Sequence, residues 1–382
     1  MSKHLLIIGV SSMRHHAGQH KVYFVADALG RQGVPVSVLV PDEPENREFL
    51  ADKPHIGARF YEARGAFADA WLKTRAYRDG NWSATWIVGV GLRSMILPTV
   101  RRAPIVKDFD EFPSLIGSLG PLRRAYLRWI ERCMIRQGDG FTCASAYIEQ
   151  HVRSRRPEIG ARVVRLPVAI SADEHQADPK IVQRVIQSAS GRPILLYVGS
   201  VNRFYEDQID EIIALALTLR RRGSPSRVII AGGGPDLEYF KTKALRAGVN
   251  DALQFVGHLR REGELPSYLE AASALLFPFP GNAFNLSRCP TKAYHYAAAN
   301  RPVVTNPVGE VASLLGDSAL YYPERNTEAF ADRCEEALRI GRSFESRIPL
   351  RSLTWEARAR QFHDWLESNG WAPRSPAQVR AA

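Results

Sequence analysis

The sequence predicts an α/β protein with two domains, each built on a parallel β-sheet covered by helices. A chain of 382 residues is longer than one ordinary domain needs and suits two. Short apolar runs, typical of strands buried on both faces, alternate with amphipathic helical stretches. The strand–loop–helix pattern that opens near residue 4 begins again at residue 193, which indicates a second domain of the same kind.

The composition is that of a globular protein with hydrophobic cores, since 45% of the residues are apolar and 24% are charged. The apolar run at 5–10 is too short to span a membrane, and no other run approaches that length. Four scattered cysteines without metal-ligand spacing favour reduced thiols in a cytosolic protein: Cys133, Cys143, Cys289 and Cys334.

The net charge of +11 favours an anionic partner, such as nucleotide phosphates, nucleic acid or an acidic membrane surface. Nucleic acid is the weakest of the three, because the sequence contains no zinc-finger, RNA-recognition or helix-turn-helix signature. We therefore expect no nucleic-acid partner.

The first predicted unit is a strand at 4–10, a loop at 11–19, a helix at about 20–33 and a strand at 35–40. Its loop lacks the Gly-x-Gly-x-x-Gly spacing, so a tightly held dinucleotide is not expected. Three imidazoles near this loop could bind a metal, line a polar cleft or be merely exposed: His15, His16 and His20.

Residues 42–80 predict one strand and one helix, and further buried strands follow at 86–90 and 104–107. An acidic loop at 108–113 leaves the last of these at its carboxyl end, where open α/β sheets bind ligands. Asp110 in this loop is a candidate for that role, or else a helix cap or a solvated carboxylate.

Residues 121–137 predict an amphipathic helix with Pro121 in its first turn. We expect one face to pack on the sheet through Leu122, Ala125, Tyr126, Trp129, Ile130, Cys133 and Met134. The opposite face carries a cationic stripe with Glu131 as its only acid: Arg124, Arg128, Arg132 and Arg136. This stripe can remain in water or lie on an anionic membrane.

In the second domain, a strand at 193–198 is followed by a loop at 199–205 and a helix at 207–221. A further strand runs into Gly232-Gly233-Gly234-Pro235, where the glycines would allow the backbone to approach a ligand closely. This motif is weak by itself.

The most informative stretch is 277–305, which predicts the end of a strand, a loop, a helix from Pro290 to about Ala299 and another strand. Arg288 precedes the helix and Lys292 lies in its first turn, where the helix dipole disfavours a cation. A bound phosphate would explain the lysine, because free N–H groups at a helix N-terminus bind anions. The alternative is a solvated lysine on an ordinary helix.

The segment RCPTKAYHYAAANRPVV resembles the donor-site segment of the retaining GT-B glycosyltransferase family. The blocks at 227–236, 253–258 and 264–269 match the same family in the same order. The resemblance implies transfer of a sugar from a nucleotide-diphosphate sugar to an acceptor hydroxyl, with no metal and no other cofactor. The acceptor would be a carbohydrate, a lipid-linked compound or a small molecule, in cell-surface polysaccharide or glycolipid synthesis.

The resemblance also implies the GT-B architecture, in which two Rossmann-like domains face each other across a cleft. We expect an acceptor domain at 1–172, a nucleotide-sugar domain at 190–352, a helix at 353–373 that returns to the first domain, and a tail at 374–382. A cytoplasmic enzyme, peripheral on the inner face of the cell membrane, would fit this family and the arginine stripe.

By the same resemblance, the residues expected to act in catalysis are Asp110, which takes the place of a family histidine, Arg288 and Lys292. His16 and Asp108 are expected on the acceptor side. The expected donor-binding residues are Gly18, Gln19, Gly199, Asn202, Arg203, Gly234, Asn285, Leu286, Ser287 and His295.

The motif departs from the family at three positions. Ser287 and His295 replace two glutamates that contact the sugar and the ribose, and Asn300 replaces a glycine. We therefore hypothesise that His295 takes over the ribose contact. These departures leave two alternatives: a catalytically silent binding or scaffold subunit, and a sugar-nucleotide epimerase on the same double-Rossmann plan.

Overall fold

The computed structural model of the chain describes residues 3–13, 17–96, 102–172 and 176–373. The chain forms two compact units. The first comprises Met1–Ala169, Leu286–Cys289 and Thr354–Ala382, and the second comprises Ile170–Asn285 and Pro290–Leu353.

The first unit is a parallel seven-stranded sheet with helices between successive strands. Its elements are β1 His4–Gly9, α1 His20–Arg31, β2 Val36–Pro41, α2 Pro44–Ala51, β3 Ile56–Tyr61, α3 Ala66–Asp79, β4 Trp82–Val88, β5 Ile105–Phe109, α4 Pro121–Gln137, β6 Gly140–Cys143, α5 Ala146–Arg155 and β7 Val163–Arg165. The strand order is β3-β2-β1-β4-β5-β6-β7. Strands β1, β2 and β5 are buried along nearly their whole length, as the unbroken apolar runs predict.

The second unit contains a parallel six-stranded sheet. Its elements are α6 Pro179–Ser188, β8 Ile194–Val198, α7 Glu206–Arg221, β9 Arg227–Ala231, α8 Leu237–Arg246, β10 Leu253–Gly257, α9 Glu264–Ala271, β11 Ala274–Phe277, α10 Ala283–Ser287, α11 Thr291–Ala298, β12 Val303–Thr305, α12 Gly309–Leu315, β13 Ala319–Tyr321 and α13 Thr327–Ile340. The last two residues of α10 belong to the first unit. The strand order is β10-β9-β8-β11-β12-β13. Two parallel Rossmann-like sheets confirm the predicted fold class.

The last helix, α14 (Trp355–Ser368), lies in the first unit. Its Trp355 ring stacks on Phe24 of α1 with the ring centroids 5.5 Å apart. Phe362 packs against Trp86 of β4, and the Trp365 indole N–H donates to the Ala161 carbonyl at 2.9 Å. These aromatic contacts fix the C-terminal helix to the sheet of the first unit.

Some local predictions were wrong. Residues 42–80 form two helices and a strand instead of one of each, and the loop predicted after β11 contains the short helix α10. Asp108 belongs to β5 and is not part of the acidic loop. A charged residue inside a buried strand cannot be recognised from periodicity when its partner is distant in the sequence.

The glycines at 232–234 have a structural reason that involves the protein's own backbone. A Cβ on Gly232 would overlap the Gly199 carbonyl oxygen, and one on Gly234 would overlap that of Val201. The same two loops are hydrogen-bonded, since the Val201 N–H donates to the Gly233 carbonyl at 2.9 Å. The glycines therefore let two loops at the ends of β8 and β9 touch, whatever they do for a ligand.

Helix α4 has the predicted bounds, but its buried face was predicted wrongly in its first half. Leu122, Tyr126 and Trp129 were expected in the core and have 86%, 44% and 54% of their surface exposed. The helix packs mainly through its second half, where Ile130, Met134 and Ile135 join a core with residues of β5, β6 and α5. The first half therefore presents large apolar side chains and arginines together on the surface. None of the described helices is long and apolar enough to cross a membrane.

Candidate functional site

In the second unit, Lys292 lies beside the carboxyl ends of β8 and β11. Its ammonium donates to the Tyr197 hydroxyl at 3.0 Å and lies over the rings of Tyr197 and Phe277, 4.1 and 4.7 Å from their centroids. A Cβ on Gly199 would come within 2.8 Å of the lysine Nζ. The structure thus places the predicted residues Lys292 and Gly199 together, next to the first turn of α11.

The aromatic rings explain how a cation is held at the start of a helix. Their π-faces attract the ammonium and compensate for the positive end of the helix dipole. Sequence reasoning missed Tyr197, whose hydroxyl also hydrogen-bonds Gln208 at 3.2 Å. The tyrosine occurs inside an apolar strand run, which resembles an ordinary core position.

The loop after β8 carries the next two predicted residues. Asn202 accepts a hydrogen bond from the Phe204 N–H at 3.0 Å and so begins the short 3-10 helix Arg203–Tyr205. The Arg203 guanidinium lies 3.7 Å from an Asp236 oxygen and 4.4 Å from the Tyr239 ring centroid. Arg203 is largely exposed, so an incoming phosphate could compete for it with Asp236.

Asn285 and Ser287 are buried near the end of α10. The Asn285 amide donates to the Pro280 carbonyl at 2.8 Å, which shapes the loop after β11. Ser287 lies in the first unit, where its hydroxyl accepts from the Phe112 N–H at 3.3 Å and its carbonyl accepts from Ser145 at 3.0 Å. Both side chains position the backbone here, while Leu286 between them is half-buried. A donor contact by Asn285, Leu286 or Ser287 stays a prediction.

Two other departures from the family motif lie on or after α11. His295 is half-buried in the last turn of the helix, and its contact with a ribose stays a prediction. Asn300 has a positive φ of 51°, and its side chain accepts a hydrogen bond from the Ser346 N–H at 2.7 Å. Asparagine tolerates this left-handed conformation better than most residues, which explains how it replaces a glycine.

In the first unit, Lys21 joins two carboxylates. Its ammonium lies 3.3 Å from Asp108 and 3.1 Å from Asp110, and both Lys21 and Asp108 are fully buried. Asp108 also accepts a hydrogen bond from Thr142 at 2.6 Å. Burial alone would lower the pKa of Lys21, but the two carboxylates outweigh it and raise that pKa, so the lysine is charged.

Asp108 is therefore a buried partner of Lys21, and its place on the acceptor side stays a prediction. Asp110 is the exposed member of the group, with 28% of its side chain accessible. It does not cap the following turn, Pro113–Leu115, which begins after Phe112. A Cβ on Gly18 would overlap an Asp110 oxygen, so the glycine allows the carboxylate to lie against the first loop.

The other polar residues of the first loop have internal partners. Gln19 is buried, accepts from the Val10 N–H at 2.9 Å and donates to the Val88 carbonyl at 3.0 Å. It therefore links the ends of β1 and β4, which is a structural role. The His20 ring nitrogen lies 3.1 Å from the Met13 carbonyl, and burial lowers the pKa of the imidazole. His15 and His16 lie outside the described residues.

Sequence reasoning also missed Glu111 as a site residue. Its carboxylate lies 3.6 Å from the Arg288 guanidinium, and both residues belong to the first unit. Burial raises the pKa of Glu111 to about 7, opposed by Arg288 and assisted by the neighbouring Asp110 carboxylate. The only sequence signal was its place in the acidic loop, directly after Asp110.

Each unit therefore brings together part of the predicted set. In the first unit, the predicted residues Gly18, Asp110 and Arg288 lie with Glu111, which was not predicted, and the two carboxylates are each paired with a cation. In the second unit, Gly199 and Lys292 lie together, and Arg203 follows in the same loop. Among the described residues, one group of three could hold a metal, and it lies on α14: His363, Asp364 and Glu367.

Residues 192–339 match the family profile described as glycosyl transferases group 1. The chain is 23% identical over 273 residues to an alpha-D-kanosaminyltransferase of Streptomyces kanamyceticus, covering 70% of this chain and 68% of that protein. It is also 25% identical over 321 residues to a GDP-mannose-dependent alpha-(1-6)-phosphatidylinositol monomannoside mannosyltransferase of Mycobacterium tuberculosis. That match covers 74% of this chain and 82% of the mannosyltransferase.

Among solved structures, the chain is similar to Anabaena HepE in complex with UDP and glucose. The TM-score is 0.62 at 12% identity, over 96% of this chain and 100% of that one. This likeness concerns the fold.

Proposed function

Since residues 192–339 belong to the glycosyl transferases group 1 family, we propose that this glycosyltransferase moves a sugar from a nucleotide-diphosphate sugar to an acceptor hydroxyl in polysaccharide or glycolipid synthesis. The position of Lys292 carries the proposal. Its ammonium lies at the carboxyl ends of two parallel strands, beside Gly199 and the first turn of a helix. A diphosphate bound there would meet both a cation and the positive end of a helix dipole.

The chemistry needs charge stabilisation above all. The bond between the sugar carbon and the diphosphate oxygen breaks, and its electron pair leaves with the nucleoside diphosphate. Lys292 would stabilise that developing charge, with Arg288 and Arg203 as further cations. The new bond forms to the acceptor oxygen, whose proton must pass to a base.

Asp110 and Glu111 are the first unit's candidates for the acceptor side of this reaction. Asp110 is fixed by Lys21 and would position a sugar hydroxyl. Glu111 has a pKa near 7 and is partly exposed, so it could accept a proton at neutral pH. We propose that Glu111 exchanges protons with the acceptor while Asp110 orients it.

A screen of nucleotide sugars by thermal shift tests the proposal. UDP-, GDP-, ADP- and dTDP-sugars should be compared, and the true donor should stabilise the protein by about 2.7 kcal/mol at 100 times its dissociation constant. The corresponding free sugars serve as controls and should have no effect, because they lack the diphosphate. A melting temperature that none of the nucleotide sugars raises above that of the protein alone would contradict a donor site in this protein.

We also propose that α4 attaches the enzyme to the inner face of the cell membrane, near a lipid-linked or membrane-proximal acceptor. The exposed side chains of Leu122, Tyr126 and Trp129 could enter the lipid interface. The surrounding cations would contact anionic lipid headgroups: Arg124, Arg128, Arg132 and Arg136. Exposed apolar side chains and arginines therefore lie together on α4, and both would contribute to lipid contact.

Vesicle co-sedimentation should show binding that requires anionic lipid and decreases at high salt. Four arginines could contribute about 4 kcal/mol before screening, at about 1 kcal/mol each. Changing all four to glutamine should abolish sedimentation, and Leu122→Ser with Trp129→Ser should reduce it strongly. Phe67→Ser with Trp71→Ser is the matched control, because it removes two exposed apolar side chains from α3. Equal binding to neutral and anionic vesicles would overturn the proposal.

A further inference from the structure

A cavity of about 210 Å³ lies within the first unit, beneath α4 and against α5. This is several times the volume of one water molecule, so a small polar group can enter it. Helix α4 contributes Arg128, Glu131 and Arg132 to the lining, and α5 contributes Tyr147, His151 and Arg155. The lining is therefore mixed, because three arginines lie beside the apolar side chains of Phe112, Leu115 and Ile135.

The one carboxylate in the lining is already engaged. One Glu131 oxygen accepts from the Ser114 N–H at 3.0 Å, and the other accepts from the Ser114 hydroxyl at 2.7 Å. The side chain is buried, and burial raises its pKa. Glu131 thus fixes the turn after β5 and neutralises at most one of the three guanidinium charges.

Of the three arginines that line the cavity, Arg128 and Arg155 interact electrostatically with the Glu131 carboxylate. Within the described parts of the chain, Arg128, Arg132 and Arg155 make no hydrogen bond and no ion pair. The neighbouring Arg153, in contrast, binds Glu149 at 3.0 Å and the Val163 carbonyl at 3.1 Å. Three guanidinium groups that line one cavity with a single carboxylate create a positive potential that favours an anion.

His151 reports on that potential. Its ring packs against Phe112 with the centroids 4.7 Å apart. Burial and the nearby Arg155 charge lower its pKa to about 4, so the imidazole is neutral at physiological pH. A neutral imidazole and the Tyr147 hydroxyl can each offer one hydrogen bond to a ligand without adding to the charge.

We propose that this cavity binds a phosphate group carried by the acceptor. Guanidinium groups match phosphate oxygens in geometry and charge, and the tyrosine hydroxyl and imidazole add neutral donors. The phosphate could belong to a lipid headgroup, since Arg128 and Arg132 extend from the same helix as the exposed Trp129, or to a soluble sugar phosphate. The link to an acceptor rests on the proposed function, whereas the phosphate site does not.

NMR titration of the histidine ring signals tests the site directly in the full-length protein. Inorganic phosphate should raise the pKa of His151 by about one unit or more, because a bound anion stabilises the imidazolium. His151→Gln identifies the signal. Arg132→Gln and Arg155→Gln should each weaken phosphate binding tenfold or more, while Arg123→Gln should leave it unchanged, since Arg123 is exposed on the same helix and does not line the cavity.

Two further probes separate the sources of the phosphate. Soluble glycerol 3-phosphate should reproduce the His151 shift if the ligand is a small molecule. Vesicles containing phosphatidic acid should bind the Arg155→Gln protein less than the Arg123→Gln protein if the ligand is a lipid, because Arg155 lines the cavity from α5 and is not part of the α4 arginine stripe. An unmoved His151 pKa at saturating phosphate, or equal phosphate binding by the Arg155→Gln and Arg123→Gln proteins, would overturn the site. Nucleotide binding measured in the same variants should be normal, which separates this result from a failure of the proposed function.

Discussion

Lys292→Ala is expected to weaken binding of the donor nucleotide by about 1.5–3 kcal/mol, or roughly 10- to 150-fold in dissociation constant. The variant removes a cation that the structure places at the carboxyl ends of β8 and β11. The fold should persist, because Lys292 is half-buried at the carboxyl end of the sheet and is not part of its core. Calorimetric titration with the nucleotide selected by the sugar screen measures the effect, and sugar transfer should decrease at least as much.

Two variants make this result specific to the site. Lys241→Ala is the charge-matched control, because Lys241 forms only an exposed pair with Glu238 in the same unit. Tyr197→Phe keeps the ring beneath the ammonium but removes its hydrogen-bond partner, and should give a smaller loss than Lys292→Ala. Arg288→Ala should weaken nucleotide binding in the same direction. Unchanged affinity in both the Lys292 and Arg288 variants would remove these cations from the donor site.

Lys21→Met is expected to destabilise the first unit by about 3–5 kcal/mol. The substitution leaves the fully buried Asp108 carboxylate without its cation and removes the positive charge beside Asp110. Much of the loss is the cost of an uncompensated buried charge, since a methionine of similar length can fill the space. All seven tryptophans belong to the first unit, so denaturation followed by tryptophan fluorescence reports on this unit.

A double variant distinguishes charge from packing. Lys21→Met with Asp108→Asn should recover much of the lost stability, because the amide is neutral and can still pair with Thr142. Lys3→Met, at an exposed position of the same unit, should change stability little. A Lys21→Met protein as stable as the unmodified protein would show that the buried pair contributes nothing to the fold.

The sequence by itself determined the two parallel sheets, the bounds of α4 and the cations near α11. These features depend on local patterns: unbroken apolar runs for buried strands, a helical repeat after Pro121, and a motif that spans a few residues. The family resemblance supplied the reaction class, because several short motifs occur in the same order. Such patterns can be recognised in the sequence because they do not depend on which distant segments come into contact in the folded chain.

Only the tertiary structure decided which side chains meet. The Lys21 and Asp108 pair joins positions 87 residues apart, and only the surrounding strands show that it is buried. The same is true of α4. Glu131 is buried there and accepts two hydrogen bonds from Ser114. Trp129 is exposed, because among the described residues no element covers the first half of the helix. Helical periodicity separates two faces but does not identify which neighbour, if any, covers each of them. Burial, the pKa of Glu111 and the cationic cavity all depend on those neighbours, so they could be read only from the folded chain.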